Sequence, residues 1–448
     1  MALTREQRAL FGGYQDKNIK DSMPKKYRDL KVEIITRINI VDITPLVMEI
    51  SLFEALDNPF VHGELKFADN SGLITALPII GQEEVKIKFT RRNKTVEKTF
   101  ACTRVRNIEK VLGDAAGAVL TLTSKKHLTN SVKLFSKSYS GLASDIIQQI
   151  HKNNFNEDIE IKTPSGSAHN VVFPFSKPYS AIKNVIKKTY GDDGTPYFLF
   201  ENLFGKKPIL QSLESMLKET TEENLPVLSM QKATNKDDLG QGSRYMPGAL
   251  GALYKYEISK NSDTLKLLSS GALVNNTIRL NHSNSQYTEN SFNYEQQAPT
   301  IAELDPYHLY ELDELKLDSN ELKASVSIEL YNPIAFESEG VTALGTHTDS
   351  FSLTKNRSYK SRLNNMMRIS AYCDSDPDNY KVGKCVNLII APNMSALEGA
   401  ELKDGLFSGT YIISRIRHYL KDDEYTVSME LIREGLSKPK SNRGGGGK

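Results

Sequence analysis

Tryptophan is absent from this sequence, cysteine occurs 3 times and histidine 8 times in 448 residues. Cys102, Cys373 and Cys385 are too few and too far apart for a disulfide framework or a four-ligand zinc site. Buried, reduced thiols are expected, because free cysteine packs like a small apolar side chain. The histidines are dispersed, and none is paired at helical metal spacing. His62, His282 and His418 fall in strand or turn contexts, where hydrogen-bonded structural roles are expected. No stretch approaches the ~20 apolar residues of a membrane span. The N-terminal MALTREQRALFGGYQDKNIKDSMPKKYRDL has no apolar core long enough for a signal peptide. Synthesis and folding in a reducing cytoplasm are the expectation.

An excess of one charge sign is also missing. The 57 basic side chains face 55 acidic ones, leaving +2, so no broad surface for nucleic acid or another polyanion is implied, although a local patch remains open. With 25% charged and 39% hydrophobic residues the chain is ordinary for a folded protein. At about 100–200 residues per domain, its length implies a few domains.

The signatures of catalysis are missing as well. There is no Gly-x-Ser-x-Gly elbow and no His-Glu-x-x-His zinc helix. Glycoside hydrolysis needs two carboxylates about 5–10 Å apart across a cleft, whereas the acidic residues here alternate along strand faces or sit in polar loops, as Glu219, Glu222 and Glu223 do. Asp374, Asp376 and Asp378 alternate as in a calcium loop, but Asn379 and Cys385 occupy the places that need glycine and a bidentate glutamate, so a turn is expected. The terminal GGGGK lacks the Ser or Thr, the strand and the helix of a phosphate loop and reads as a flexible tail. No catalytic, cofactor-binding or metal-binding residue is assigned, no cofactor is expected, and the chain is not expected to be an enzyme.

What is present is period-two patterning. Residues 1–30 are polar, basic and broken by Gly12, Gly13 and Pro24, and read as an arm that a partner orders. In GELKFAD, Leu65 and Phe67 face opposite Glu64 and Lys66, and in EEVKIKF, Val85, Ile87 and Phe89 alternate with Lys86 and Lys88. With KVEIITRINIVDI, TPLVMEISLFEAL, KTFACTRVRNIEK and GAVLTLTS, these form a small antiparallel barrel or sandwich over 31–128. Helical spacing of Leu142, Ile146, Ile147 and Ile150, and then of Ile182, Val185 and Ile186, marks a mixed α/β domain over 129–220. Clear strands return in MMRISAYCD, KCVNLIIAP, GTYIISRIRHYL and YTVSMELI.

The returning strands follow the order of the first set. Phe67-Ala68-Asp69 answers Tyr372-Cys373-Asp374, and Val85-Lys86-Ile87 answers Val386-Asn387-Leu388. TRVRNI at 103–108 answers SRIRHY at 414–419, and AVLTLT at 118–123 answers TVSMEL at 426–431. An ordered succession of four matches implies a duplicated barrel. The Arg-x-Arg pairs, Arg104 with Arg106 and Arg415 with Arg417, are candidate interface residues, since arginine on an exposed sheet face makes bidentate contacts between subunits. Local cross-strand ion pairs are the plainer alternative.

VHGELKFADNSGLITALPIIGQEEVKIKF, residues 256–294 and GTYIISRIRHYLKDDEYTVSMELIREGL resemble, in that order, the first barrel, a middle segment and the closing strands of baseplate hub proteins of contractile phage tails. The resemblance spans roughly 40–436. It implies a mainly β chain with α/β parts: two tail-tube-like antiparallel β-barrels, a mixed α/β domain and an insertion. The second barrel is split, 221–296 joining 366–436, with 297–365 inserted and 437–448 a tail. The implied assembly is a homotrimer of pseudo-sixfold symmetry that adapts the hexameric tail tube to the trimeric central spike and forms part of the DNA channel. Implied partners are the chain itself, the tube ring and the spike, with baseplate wedge and tape-measure proteins left open. DNA enters only as passing cargo, and the implied location is the virion's tail baseplate. A hub or spike of a type VI secretion or other contractile injection system is the nearer alternative, and a tail-associated peptidoglycan hydrolase the more distant one. Spike proteins usually continue into a β-helical needle, and this chain stops soon after its second barrel, which favours the phage hub.

Overall fold

A computed structural model describes residues 26–69, 72–77, 79–110, 116–165, 168–191, 194–219, 227–229, 253–260, 263–281, 285–294, 307–308, 326–331, 350–365, 367–373, 380–390 and 406–436. Most of the N-terminal arm, the stretch Asp374–Asp378 for which a turn is expected, His282 and the C-terminal glycines therefore lie outside the described residues.

The first strands are β1 (Arg28–Ile35), β2 (Ile40–Asp42), β3 (Val47–Ala55) and β4 (Asn58–Asp69). A one-turn helix, α1 (Leu73–Ala76), leads to β5 (Glu84–Arg91), β6 (Lys94–Lys110) and β7 (Ala116–Ser124). In β5 the expected alternation is met residue by residue: Val85, Ile87 and Phe89 are fully buried and the lysines between them half-buried. Asp69 caps α1, its carboxylate accepting from Leu73 N at 2.5 Å and Ile74 N at 3.0 Å. The strands pair in the order β3–β4–β7–β6–β5–β1–β2, all antiparallel.

The middle of the chain has a separate core. Helix α2 (Lys125–Val132) leads to β8 (Phe135–Leu142) and α3 (Ala143–Phe155), then β9 (Glu160–Ile161), β10 (Ala168–Ser176) and α4 (Pro178–Lys188). β11 (Tyr197–Phe200), β12 (Ile209–Ser212) and α5 (Leu213–Lys218) follow. Ile146, Ile147 and Ile150 of α3 pack with Ile182 and Val185 of α4, as their helical spacing requires. Pro178 opens α4, where a missing N–H costs nothing. Asn156 closes α3 in the left-handed region, at φ 55°.

β13 (Val227–Ser229) and β14 (Leu253–Lys260) precede α6 (Thr264–Ser269), β15 (Val274–Asn281), β16 (Gln286–Asn293), β17 (Tyr307–His308), β18 (Val326–Tyr331) and α7 (Ser350–Asn365). The last strands are β19 (Met367–Cys373), β20 (Cys385–Ile389), β21 (Gly409–Lys421), β22 (Glu424–Arg433) and β23 (Gly435–Leu436). Among the described residues of 221–296, β13 and β14 enter the C-terminal strands, whereas β15 pairs with β16 and, in parallel, with β18 as a sheet of its own. The split expected from the resemblance thus runs between β14 and β15, because β15 finds its partner inside 297–365.

Pairing in the C-terminal half runs β14–β19–β22–β21–β20–β13. The first half reads β3–β4–β7–β6–β5–β1 in the same positions, so each strand of one run has a counterpart in the other. The match extends to irregularities. Met48 of β3 and Tyr254 of β14 are each a one-residue bulge in the pairing with the next strand, as are Thr103 of β6 and Ser414 of β21. Bulges of this kind are specific features of a fold rather than noise. The outermost strands differ: β1 lies antiparallel to β5, and β13 parallel to β20.

Two of the four expected registers need correction. β5 against β20 and TRVRNI against SRIRHY stand as aligned. In the other two the structure shifts the match by one residue: Thr121 corresponds to Glu430, since each lies opposite the first arginine of its pair, and Phe67 corresponds to Cys373. Resemblance of residue type pulled the sequence alignment to the wrong face: Phe67 is fully buried, whereas Tyr372 is 38% exposed. A slip of one residue turns every side chain over.

Candidate interaction surface

The two halves join through β21. Its first part, Cys385 opposite Ile412, pairs with β20, and its second part, Arg415 to Lys421, pairs antiparallel with Ala55 to Glu49 of β3. The 13-stranded sheet is continuous across that joint, and one hydrophobic core follows it, from Val32 through Leu120 and Phe200 to Tyr425 and Leu431. Asp422 and Asp423, at φ 48° and 62°, supply the two left-handed positions of the tight turn between β21 and β22. That turn keeps β21 and β22 in register along the joint.

Both arginine pairs project from the penultimate strand of their half. Thr103 and Ser414, the bulge residues immediately before them, hold equivalent bonds: Thr103 Oγ1 donates to the Thr121 carbonyl at 3.2 Å, and Ser414 Oγ to the Glu430 carbonyl at 3.0 Å. Main-chain bonds match too, Cys102 N donating to Glu83 O at 2.8 Å and Ile413 N to Lys384 O at 3.0 Å. A hydroxyl residue before each Arg-x-Arg was visible in the sequence; that it marks a bulge was not.

Arg417 lies at the joint. Its Nε and Nη2 donate to Ser51 Oγ of β3 at 3.1 and 2.9 Å, and its guanidinium lies 4.9 Å from the Tyr419 ring centre. Tyr419 in turn donates its hydroxyl to Glu49 at 2.9 Å. Arg415 is exposed, 3.8 Å from Glu430 and 4.0 Å from Asp57. In the first half, Arg106 pairs with Glu64 of β4, the local ion pair that was the alternative reading, and Arg104 is exposed. The structure therefore brings Arg415 and Arg417 to the junction between the halves and places Arg104 and Arg106 at the matching position of the other half.

Sequence reasoning missed the buried polar group behind the joint. Glu54 of β3, 4% exposed, stands 3.4 Å from His418 Nε2 and accepts the backbone N–H of Leu203. His418 Nδ1 is 2.6 Å from the Tyr425 hydroxyl. Glu54 thus ties β3 to β21 and to the α/β region at one point. A second link is Glu201, which takes Lys98 of β6 at 2.5 Å and Lys126 of α2 at 2.7 Å, while Lys126 also reaches Glu157 at 2.7 Å. Burial alone would push the Glu201 carboxyl up; the two ammonium groups outweigh it and hold the group below its ordinary range.

All three cysteines are buried and outside any disulfide, as expected, and burial pushes the Cys102 thiol up to about 11, away from reactivity. Among the described residues no helix is long and apolar enough to cross a membrane.

No family model and no curated protein matches this sequence. Solved structures do. A tail protein from Neisseria meningitidis MC58 is similar over 92% of this chain and all of its own, with a TM-score of 0.53 at 9% identity. The 43 kDa tail protein of prophage MuSo2 from Shewanella oneidensis is similar over 90% of this chain and 98% of its own, with a TM-score of 0.49 at 8% identity. An Escherichia coli component of the type VI secretion system, described as structurally similar to tail proteins of bacteriophage T4, is similar over 91% of this chain and 77% of its own, with a TM-score of 0.44 at 8% identity. The fold is similar to that of the Neisseria tail protein and is mainly β with α/β parts.

Proposed function

We propose that this chain is the structural baseplate hub of a contractile phage tail. The observation that carries the reading is the repeated strand unit, two copies joined edge to edge in one sheet. A tail tube built of hexameric rings offers six equivalent surfaces, and a trimeric spike offers three. A homotrimer with two related barrels per chain meets both without six identical subunits. The ring so formed surrounds the DNA channel, binds the tube ring on one side and the spike on the other, and sits in the virion baseplate next to wedge and tape-measure proteins. The role is mechanical and needs no catalysis: zymography on purified peptidoglycan is expected to show no clearing.

Light scattering of the full chain, alone and with its spike, tests the assembly. Three copies are expected, with class averages that show six lobes down the axis; a monomer in both conditions overturns the reading. Each subunit interface should bury on the order of 2,000 Å² or more, as obligate assemblies do.

A further inference from the structure

The two halves are alike in pairing order but unlike in what their edges meet. β21 has β22 on one side and, on the other, β20 followed by β3. Its counterpart β6 has β7 on one side and β5 on the other, but β5 ends at Ala101 of β6. Among the described residues no strand pairs with the β5-side edge of β6 beyond that point. The complement is at the far end of the sheet. β3 is paired on both edges, with β4 and β21, whereas its counterpart β14 is paired only with β19 among the described residues.

We propose that Arg104–Lys110 of one copy pairs antiparallel with the outer edge of β14, over Lys255–Lys260, in a second copy of this chain, repeating between chains the β21–β3 joint found within one. The proposal rests on the hub assembly above and names the edges that build it. An unpaired edge of this length is otherwise a liability that proteins cover or blunt.

Side chains support the register. In the internal joint Arg417 lies opposite Phe53 and reaches Ser51, two residues along. The matching bulges align Ser51 with Glu257, since Ser51 lies opposite Glu64 of β4 and Glu257 opposite the matching Ser370 of β19. Arg106 is the counterpart of Arg417, so its guanidinium meets Glu257 of the second copy where Arg417 meets a serine hydroxyl. Within one chain Arg106 uses Nη2 on Glu64 while its buried Nε has no hydrogen-bond partner; the Nε of Arg417 is the atom that β3 satisfies at 3.1 Å. Glu257 is exposed, and the neighbouring Ile258 is 36% exposed. A carboxylate from a second chain completes a charge-assisted pair on a donor already held in place.

Charge reversal in the full-length protein tests the edges. Arg106→Glu and Glu257→Arg should each weaken self-association by about tenfold or more, because like charges then face each other across the joint, and the combination of both should restore it. Glu257→Arg changes an exposed residue, so a folding defect at Arg106 does not decide the outcome. A chain carrying Arg106→Cys and Lys260→Cys, the positions that match Arg417 and Phe53 (Ser259 is a further one-residue bulge of β14, so Lys260 lies opposite Arg368 as Phe53 lies opposite His62), should form interchain disulfides on oxidation, the native cysteines being buried. A trimer that neither reversal weakens and that forms no such disulfide overturns the edge assignment and leaves the hub reading standing. A wild-type chain that stays monomeric even with its spike overturns both.

Discussion

A Cβ at position 63 would stand 2.8 Å from Leu52 Cδ2 and 3.2 Å from the Ser51 carbonyl oxygen, so glycine is what lets β3 and β4 close on each other beside the joint. Gly63→Ala should destabilise by about 1–3 kcal/mol, the usual cost of overpacking, read as a fall in the denaturation midpoint. Burial also decides the behaviour of histidine. His62, His127, His151 and His169 are all held below the ordinary imidazole range, chiefly because burial disfavours the charged ring. His169, 2% exposed and near the Lys188 charge, is lowered from 6.5 to about 4. The sign follows from linkage: the unfolded chain binds the proton first, so the stabilisation is complete above the unfolded value and is lost as pH falls from there toward the folded one. For His169 alone the loss is on the order of 3 kcal/mol. Melting temperature should therefore drop between neutral pH and pH about 5, and His169→Gln should flatten that drop; an unchanged slope would rule out this origin.

At the scale of elements, the bulges at Thr103 and Ser414 are the same device used twice. Each adds one residue to the penultimate strand and closes it with a hydroxyl-to-carbonyl bond, which turns the following arginines toward the surface. The two are not equal in cost. Ser414 is 8% exposed and also donates to Glu430 Oε1 at 2.7 Å, and its carbonyl accepts Leu56 N at 2.8 Å from the first half. Thr103 is exposed. Ser414→Ala should cost about 1–2 kcal/mol and Thr103→Val under about 1, in keeping with hydrogen bonds in buried and in wet surroundings; equal losses in urea unfolding would contradict that ranking. The element scale is also where the sequence alignment slipped. The register of β6 against β21 was legible because the Arg-x-Arg pairs mark it, and that of β5 against β20 because Val85 and Ile87 answer the equally buried Val386 and Leu388, whereas in β7 against β22 the lure was Val119 against Val427, one half-buried and the other buried.

Over the whole molecule, Glu201 joins the first half of the sheet to the α/β region through Lys98 and Lys126, with side-chain exposures of 7%, 19% and 18%. Glu201→Gln removes the charge and leaves two partly buried ammonium groups facing an amide. On the order of 3 kcal/mol should be lost, as when one member of a buried ion pair is deleted, and the α/β region should become the first to be cut in limited proteolysis. Because the carboxyl is held low, this contribution is present at neutral pH and lost as pH falls through the folded value. Cleavage that still begins elsewhere would show that the region is anchored mainly by its apolar contacts.

The sequence by itself determined the clearly alternating strands of 31–128 and of the C-terminal return, because alternation along a strand follows from local geometry alone: Val85, Ile87 and Phe89 against their lysines needed no partner to be read. It also determined that the strand pattern recurs, and that Arg104 and Arg106 answer Arg415 and Arg417. Only the tertiary structure decided the pairings: that β3 leaves its own half to meet β21, that β14 rather than β15 completes the second run, and that Glu54 is buried beside His418. Those choices rest on contacts between residues far apart in the chain, up to 370 positions for Tyr419 and Glu49. A period of two is satisfied equally by any partner strand with the right face, so it carries no information about which one is chosen.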